Sequence, residues 1–128
     1  MREFGFESTT DDVLAGISLA GKVVLVTGAT AGLGIETTRA LAAAGANVVM
    51  LGRNPEALAL EAGNLGDLGL AGQIDTQTVD LASLGSVRQS AAAILEAYPR
   101  IDVLINNAGV MACPLLRTAD GFEMQFGT

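Results

Sequence analysis

The run Thr27-Gly28-Ala29-Thr30-Ala31-Gly32-Leu33-Gly34 spaces three glycines by four and then two residues, directly behind the apolar segment KVVLVT. Glycines so placed suit the binding of a phosphate by backbone amides. Gly28 would permit a sharp turn off a strand, Gly32 would let a phosphate approach with no Cβ in the way, and Gly34 would let the following helix lie close to the strand. That helix would begin near residue 32, with Leu33 in its first turn, and its free amides and partial positive charge would face a pyrophosphate. The Thr30 hydroxyl could add a donor. The competing reading is a glycine-rich turn with a purely structural role. A loop that hydrolyses nucleoside triphosphates is excluded, because Gly32-Leu33-Gly34 stands where Gly-Lys-Ser/Thr is required.

A second informative position follows the apolar segment ANVVML. The chain there reads Leu51-Gly52-Arg53, with no acid between 48 and 54. A site that holds ribose hydroxyls at this point wants a carboxylate, whereas a guanidinium can pair with a 2′-phosphate. Arg53 therefore points to NADP, with NAD as the alternative. A solvated arginine at a turn is the plain reading.

These residues need elements to position them. KVVLVT (22–27), ANVVML (46–51), QIDTQTV (73–79) and IDVLIN (101–106) are short, mostly apolar or β-branched runs that predict four strands. Between them lie predicted helices. The first covers roughly 32–44 and stops at Gly45, the second covers roughly 55–62 with Asn54 as cap and Pro55 in its first turn, and the third runs from a Ser83 cap to about Tyr98. Val87, Ala91, Ile94, Leu95 and Tyr98 give that third helix an apolar face. GNLGDLGLAG is a glycine-rich connection, and a last helix is expected near Asp120. Strands alternating with helices in this way predict a parallel, doubly wound α/β sheet in three layers with right-handed crossovers. Residues 1–20 form a leader with one short helix, capped by Ser8 with Asp11 three residues on, and residues 21–128 form the domain.

Composition narrows the classes. A chain of 128 residues, half of them hydrophobic and 16% charged, has the material for one packed domain. One cysteine and no histidine exclude an intrachain disulfide and argue against a metal centre. A net charge of -7 with scattered basic residues gives no footprint for nucleic acid. The acids at Glu3, Glu7, Asp11 and Asp12 leave no room for a signal peptide, and no apolar stretch is long enough to span a bilayer, so a soluble cytoplasmic protein without a membrane partner is expected.

The motifs together resemble the short-chain dehydrogenases. TGATAGLG resembles that family's TGxxxGxG pattern, and VDL at 79–81 and NNAG at 106–109 resemble two more of its motifs in the same order. The resemblance runs from about residue 20 to the end, and NNAGVMACP with TADGFEMQFGT is most like the retinol-dehydrogenase-like branch. It implies a Rossmann-type fold with strand order 3-2-1-4, in which the glycine loop and the loop after the fourth strand flank the point where strand order reverses and ligands bind. The activity it implies is a hydride transfer between NADP(H) and an alcohol or carbonyl substrate, lipophilic if the branch holds. It also implies that Asp80 accepts a hydrogen bond from the adenine amino group, with capping of the next helix as the plain reading. Leu81 would offer its backbone to the adenine. Asn107, Ala108 and Gly109 would lie against the ribose, while Asn106 stabilises the strand end. Met111, Cys113 and Pro114 are candidates to touch substrate.

The family's proton donor is the tyrosine of a YxxxK motif, helped by a serine. Here the one tyrosine, Tyr98, is followed four residues later by Asp102, and the one lysine is Lys22, so no catalytic residue can be assigned. Tyr98 reads instead as the last core-facing residue of its helix. The chain is thus expected to be the cofactor-binding half of an oxidoreductase, truncated before the catalytic half, inactive alone, and a homo-oligomer in complete form. A dinucleotide-binding module without turnover is the alternative.

Overall fold

The computed structural model describes residues 3–128. Four parallel strands, β1 (Val23–Thr27), β2 (Asn47–Gly52), β3 (Gln73–Thr78) and β4 (Val103–Ile105), pair in the order β3-β2-β1-β4. Helices α1 (Thr10–Leu14), α2 (Gly32–Ala43), α3 (Pro55–Gly66), α4 (Leu84–Ala97) and α5 (Met124–Gly127) complete the chain. The expected strand order is the observed one.

Side chains alternate across a pleated strand, and that alternation makes two cores. Val24, Val26, Val48 and Met50 point to one face, where Ala42 of α2 and Leu58 and Leu65 of α3 meet them. Leu25, Val49 and Leu51 point to the other, against Ile94 of α4. β1 and β2 are therefore apolar at successive positions because both of their faces are covered. None of the described helices is long and apolar enough to cross a membrane.

Several boundaries differ from expectation for physical reasons. The cap of α1 is Thr9, not Ser8: Thr9 and Asp12 form a reciprocal capping box, and the Ser8 hydroxyl accepts from Gly5 N instead. Helix α3 continues past 62 to Gly66 because Leu58 and Leu65, two turns apart, are both buried, and that burial carries the helix over Gly63. The Asn54 cap and Pro55 start are as expected, with Asn54 Oδ1 accepting from Glu56 N and Ala57 N. Ser83 caps α4 through Ser86 N. Strand β4 is half the expected length and is an edge strand: it pairs only with β1, and Val103 and Leu104 are 45% and 55% exposed. Ile101 turns into the second core and the Asp102 carboxylate accepts from Val23 N, so the segment before β4 closes the sheet's lower end. Near Asp120 the chain makes a turn, and α5 starts only at Met124.

The leader packs on α2. Thr10 Oγ1 donates to Glu36, and Arg39 bonds both Glu36 and Asp11. Hydrogen bonds from Arg39 first, and from Thr10 second, hold Glu36 at about 2, below its ordinary 4.5. A depressed carboxyl contributes stability that is present above its unfolded value and lost as pH falls toward the folded one. The Glu36 side chain is 44% exposed, so solvent screens the pair and the contribution is local. Acidification from about pH 5 toward 2 should release α1 before the sheet melts, and Glu36→Ala should release it at neutral pH. Amide exchange at residues 10–14 reads this directly; protection that persists in Glu36→Ala would show that Val13 and Leu14 hold the leader without the ion pairs.

Candidate dinucleotide-binding cleft

The loops that follow β1 and β4 touch at their backbones. Gly28 has φ of +64°, and a Cβ there would lie 2.9 Å from Ala108 Cα, so only glycine serves both the turn and the contact. Gly28 N donates to Leu51 O, which ties the same loop to the end of β2. A Cβ on Gly34 would lie 2.2 Å from Gly28 O and 2.8 Å from Asn107 Nδ2. The assigned packing role of Gly34 is thus the observed one. Gly32 is exposed, has φ of +53°, and a Cβ there would meet nothing within 4 Å.

Side chains then fasten the two loops. Asn107 Nδ2 donates to Thr27 O at 3.0 Å and to Gly28 O at 3.2 Å. Thr27 Oγ1 accepts from Ala108 N at 2.9 Å and donates to Ile105 O at 3.4 Å. This corrects the reading of Asn106, which is exposed; the strand end is held by Asn107, whose carboxamide points into the sheet. Thr27 was absent from the expected site residues. Its signal was its place as a polar residue ending an apolar strand, where a hydroxyl has carbonyls within reach.

A cleft of about 510 Å³ opens over this joint, at the C-terminal ends of the strands and between β1 and β4, where strand order reverses. It is lined by Gly28, Asn107, Ala108 and Gly109 and by Thr30, Leu33 and Arg53. Asp80 and Leu81 line it too, as do Val110, Met124 and Thr128, three residues the sequence did not indicate. Gly32 and Gly34 shape the loop without lining the cleft, and Met111, Cys113 and Pro114 lie outside it. Asp80 is exposed, and its Oδ1 closes a turn by accepting from Ala82 N. It does not cap α4, since Ser83 does.

Two features give the cleft an electrostatic character. Helix α2 begins at Gly32 with Ala31 at its cap position and no side-chain acceptor for its first amides, whereas Thr9, Asn54, Ser83 and Glu123 cap the other described helices. Uncapped amides at a helix start carry partial positive charge and suit an anion. Arg53 is exposed at the rim and makes no ion pair among the described residues, while Lys22, Arg39 and Arg100 are each paired with carboxylates elsewhere.

Tyr98 has no part in the cleft. Its hydroxyl donates to Asp75 at 2.6 Å, and burial first, then this hydrogen bond, push its pKa up to about 12. A phenol so placed is the reverse of an activated proton donor.

The model of the short chain dehydrogenase family matches residues 22–124, which takes in all four strands and the whole of the cleft's glycine loop. The chain belongs to the short-chain dehydrogenases. Human retinol dehydrogenase 13 is 46% identical over 110 residues, which are 86% of this chain and 33% of that protein. This short-chain dehydrogenase is accordingly of the retinol-dehydrogenase-like kind, and it spans about a third of the length of the curated relatives it matches. Its fold is similar to the crystal structure of an uncharacterized protein from Mycobacterium Paratuberculosis (TM-score 0.75, 42% identity, covering 88% of this chain and 38% of that one). It is also similar to a Pseudomonas aeruginosa RhlG/NADP active-site complex (TM-score 0.68, 38% identity, covering 73% and 37%).

The contacts of Gly34 and Gly32 predict unequal sensitivities. Alanine is the better helix former by about 1 kcal/mol, yet at Gly34 its methyl would enter a carbonyl oxygen, so Gly34→Ala should cost at least about 2 kcal/mol in urea denaturation. Gly32→Ala meets only its own left-handed backbone and should cost about 1 kcal/mol. Equal losses at the two positions would mean that the β1 and β4 loops can move apart freely.

Proposed function

We propose that this chain holds NADP(H) for an oxidoreductase that interconverts an alcohol and a carbonyl compound. The observation that carries the reading is the uncapped start of α2, opening beside an unpaired Arg53 onto a cleft at the reversal of strand order. The fit follows from the residues present. The amides of the glycine loop and of the α2 start would take the pyrophosphate, with Thr30 as an added donor and Gly32 keeping the approach free of a Cβ. Arg53 would take the 2′-phosphate, Asp80 and the Leu81 backbone the adenine, and Asn107, Ala108 and Gly109 the ribose next to the nicotinamide. The bound dinucleotide supplies the hydride chemistry; the chain's own residues bind and orient it. The NADP in the Pseudomonas aeruginosa relative supports the cofactor, and the retinol dehydrogenases support a lipophilic alcohol or carbonyl substrate.

A second reading, a dinucleotide-binding module without turnover, is favoured by the state of the two groups that could form a proton-donating pair. Tyr98 is bonded to Asp75 and Lys22 to Asp102, both away from the cleft. Assays of alcohol oxidation and carbonyl reduction separate the two, and this chain by itself is expected to bind the cofactor without turning over.

Fluorescence titration should show NADPH bound more tightly than NADH. Arg53→Asp should weaken NADPH by roughly tenfold to a hundredfold, as for loss of a charge-assisted hydrogen bond with repulsion added, and leave NADH nearly unchanged. Equal affinities of the wild type for both cofactors would remove Arg53 from the site.

A further inference from the structure

The cleft lining includes Asp80, Leu81 and Ala82 of a turn, residues 80–84, that belongs to no strand and precedes the body of α4, yet it is fixed from two directions. From within, Asp80 N donates to Ser86 Oγ at 2.9 Å and Asp80 Oδ1 accepts from Ala82 N at 2.9 Å. From a segment far along the chain, Asp120 Oδ2 accepts from Leu84 N at 2.8 Å and Ala119 N donates to Ala82 O at 2.8 Å. Leu84 is the first residue of α4, so its amide has no partner inside the helix, and Ser83 spends its hydroxyl on Ser86. A carboxylate at this point also has the sign that a helix start prefers.

The segment that carries Asp120 is held in shape by its own bonds. Thr118 is buried, its N donates to Phe122 O at 2.8 Å, and its hydroxyl accepts from Phe122 N at 3.1 Å. Arg117 Nη1 donates to Gly121 O at 2.7 Å, and Met124 N to Leu116 O at 3.0 Å. Met124 and Thr128, which follow this folded turn, line the same cleft as Asp80 and Leu81, while Asp120 does not line it.

We propose that Asp120 is a positioning residue for the adenine end of the cleft. By holding Leu84 N it fixes the end of the 80–84 turn and, beside the Ala119 N bond to Ala82 O, ties the 117–128 segment to that turn without itself lining the cleft. The proposal rests on the dinucleotide reading of the cleft.

The test compares wild type with Asp120→Ala and Asp120→Asn in the full chain, by amide exchange in the free protein and by separate titration with adenosine 2′,5′-bisphosphate and with nicotinamide mononucleotide. In Asp120→Ala the Leu84 amide should exchange faster and the bisphosphate should bind about tenfold more weakly, while the mononucleotide changes less than about twofold. Asp120→Asn keeps an oxygen acceptor and should recover most of the loss. Bisphosphate affinity that survives in Asp120→Ala, or equal losses for both halves, overturns the proposal, the second because it signals general loosening. A wild type that binds neither half defeats the dinucleotide reading and this proposal with it; a wild type that binds and an alanine variant that binds equally well defeat the proposal alone.

Discussion

The carboxamide of Asn107 donates to the carbonyls of Thr27 and Gly28, and in doing so it fastens the loop after β4 to the loop after β1. β2 and β4 lie on opposite sides of β1, so strand order reverses there and a crevice forms at the ends of β1 and β4. Without a fastening, the crevice floor would be two independent loops with buried backbone groups lacking partners. The fastening in turn demands the absence of side chains: a Cβ on Gly28 would meet Ala108, and a Cβ on Gly34 would meet both Gly28 O and the carboxamide itself. Thr27 completes the joint with its hydroxyl, and the start of α2 is thereby fixed over the cleft.

The two faces of the sheet are filled unequally, and that inequality shapes what the cleft can use. On the α2 and α3 side the core runs from Val24 and Val26 through Val48 and Met50 to Leu58 and Leu65, all nearly inaccessible to solvent. On the α4 side the buried set is smaller, and Leu81, Val87 and Tyr98 pack on it only partly buried. The residues proposed to meet the adenine therefore sit on the less filled face, where the turn before α4 needs hydrogen bonds from Ser86 and from the 119–120 segment to hold its shape. Polar bonds do there what apolar packing does on the other face.

Charge is arranged with the same economy of position. Lys22 and Arg100 meet Asp102 at the N-terminal end of the sheet, and Arg39 meets Glu36 and Asp11 where the leader rests on α2. Of these pairs, Lys22–Asp102 and Arg39–Asp11 join segments distant in sequence, while Arg39–Glu36 and Arg100–Asp102 are local. Arg53, at the opposite end of the strands, lines the cleft together with the loop that leads into the uncapped start of α2, so a guanidinium and free helix amides are available there in a chain whose net charge is -7.

The sequence by itself determined the parallel direction of the strands, because continuous apolar runs separated by helix-length segments leave a parallel sheet covered on both faces as the way to bury them, whereas their order followed from the family resemblance of the motifs. It also determined the Asn54 and Ser83 caps, since these rest on contacts between residues close in the chain, and it located the glycine loop, whose closure against Asn107 and Ala108 only the fold supplies. Tertiary structure decided the rest. Leu65 extended α3 over a glycine that local propensity reads as a stop, and β4 pairs over three residues where its apolar run spans six. That Asn107 rather than Asn106 faces the joint depends on which of two adjacent side chains the strand end turns inward, a matter of register that composition does not encode. Likewise the Asp120 bond to Leu84, and the arrival of Met124 and Thr128 at the cleft, join residues tens of positions apart, and only the folded path of the chain sets such distances.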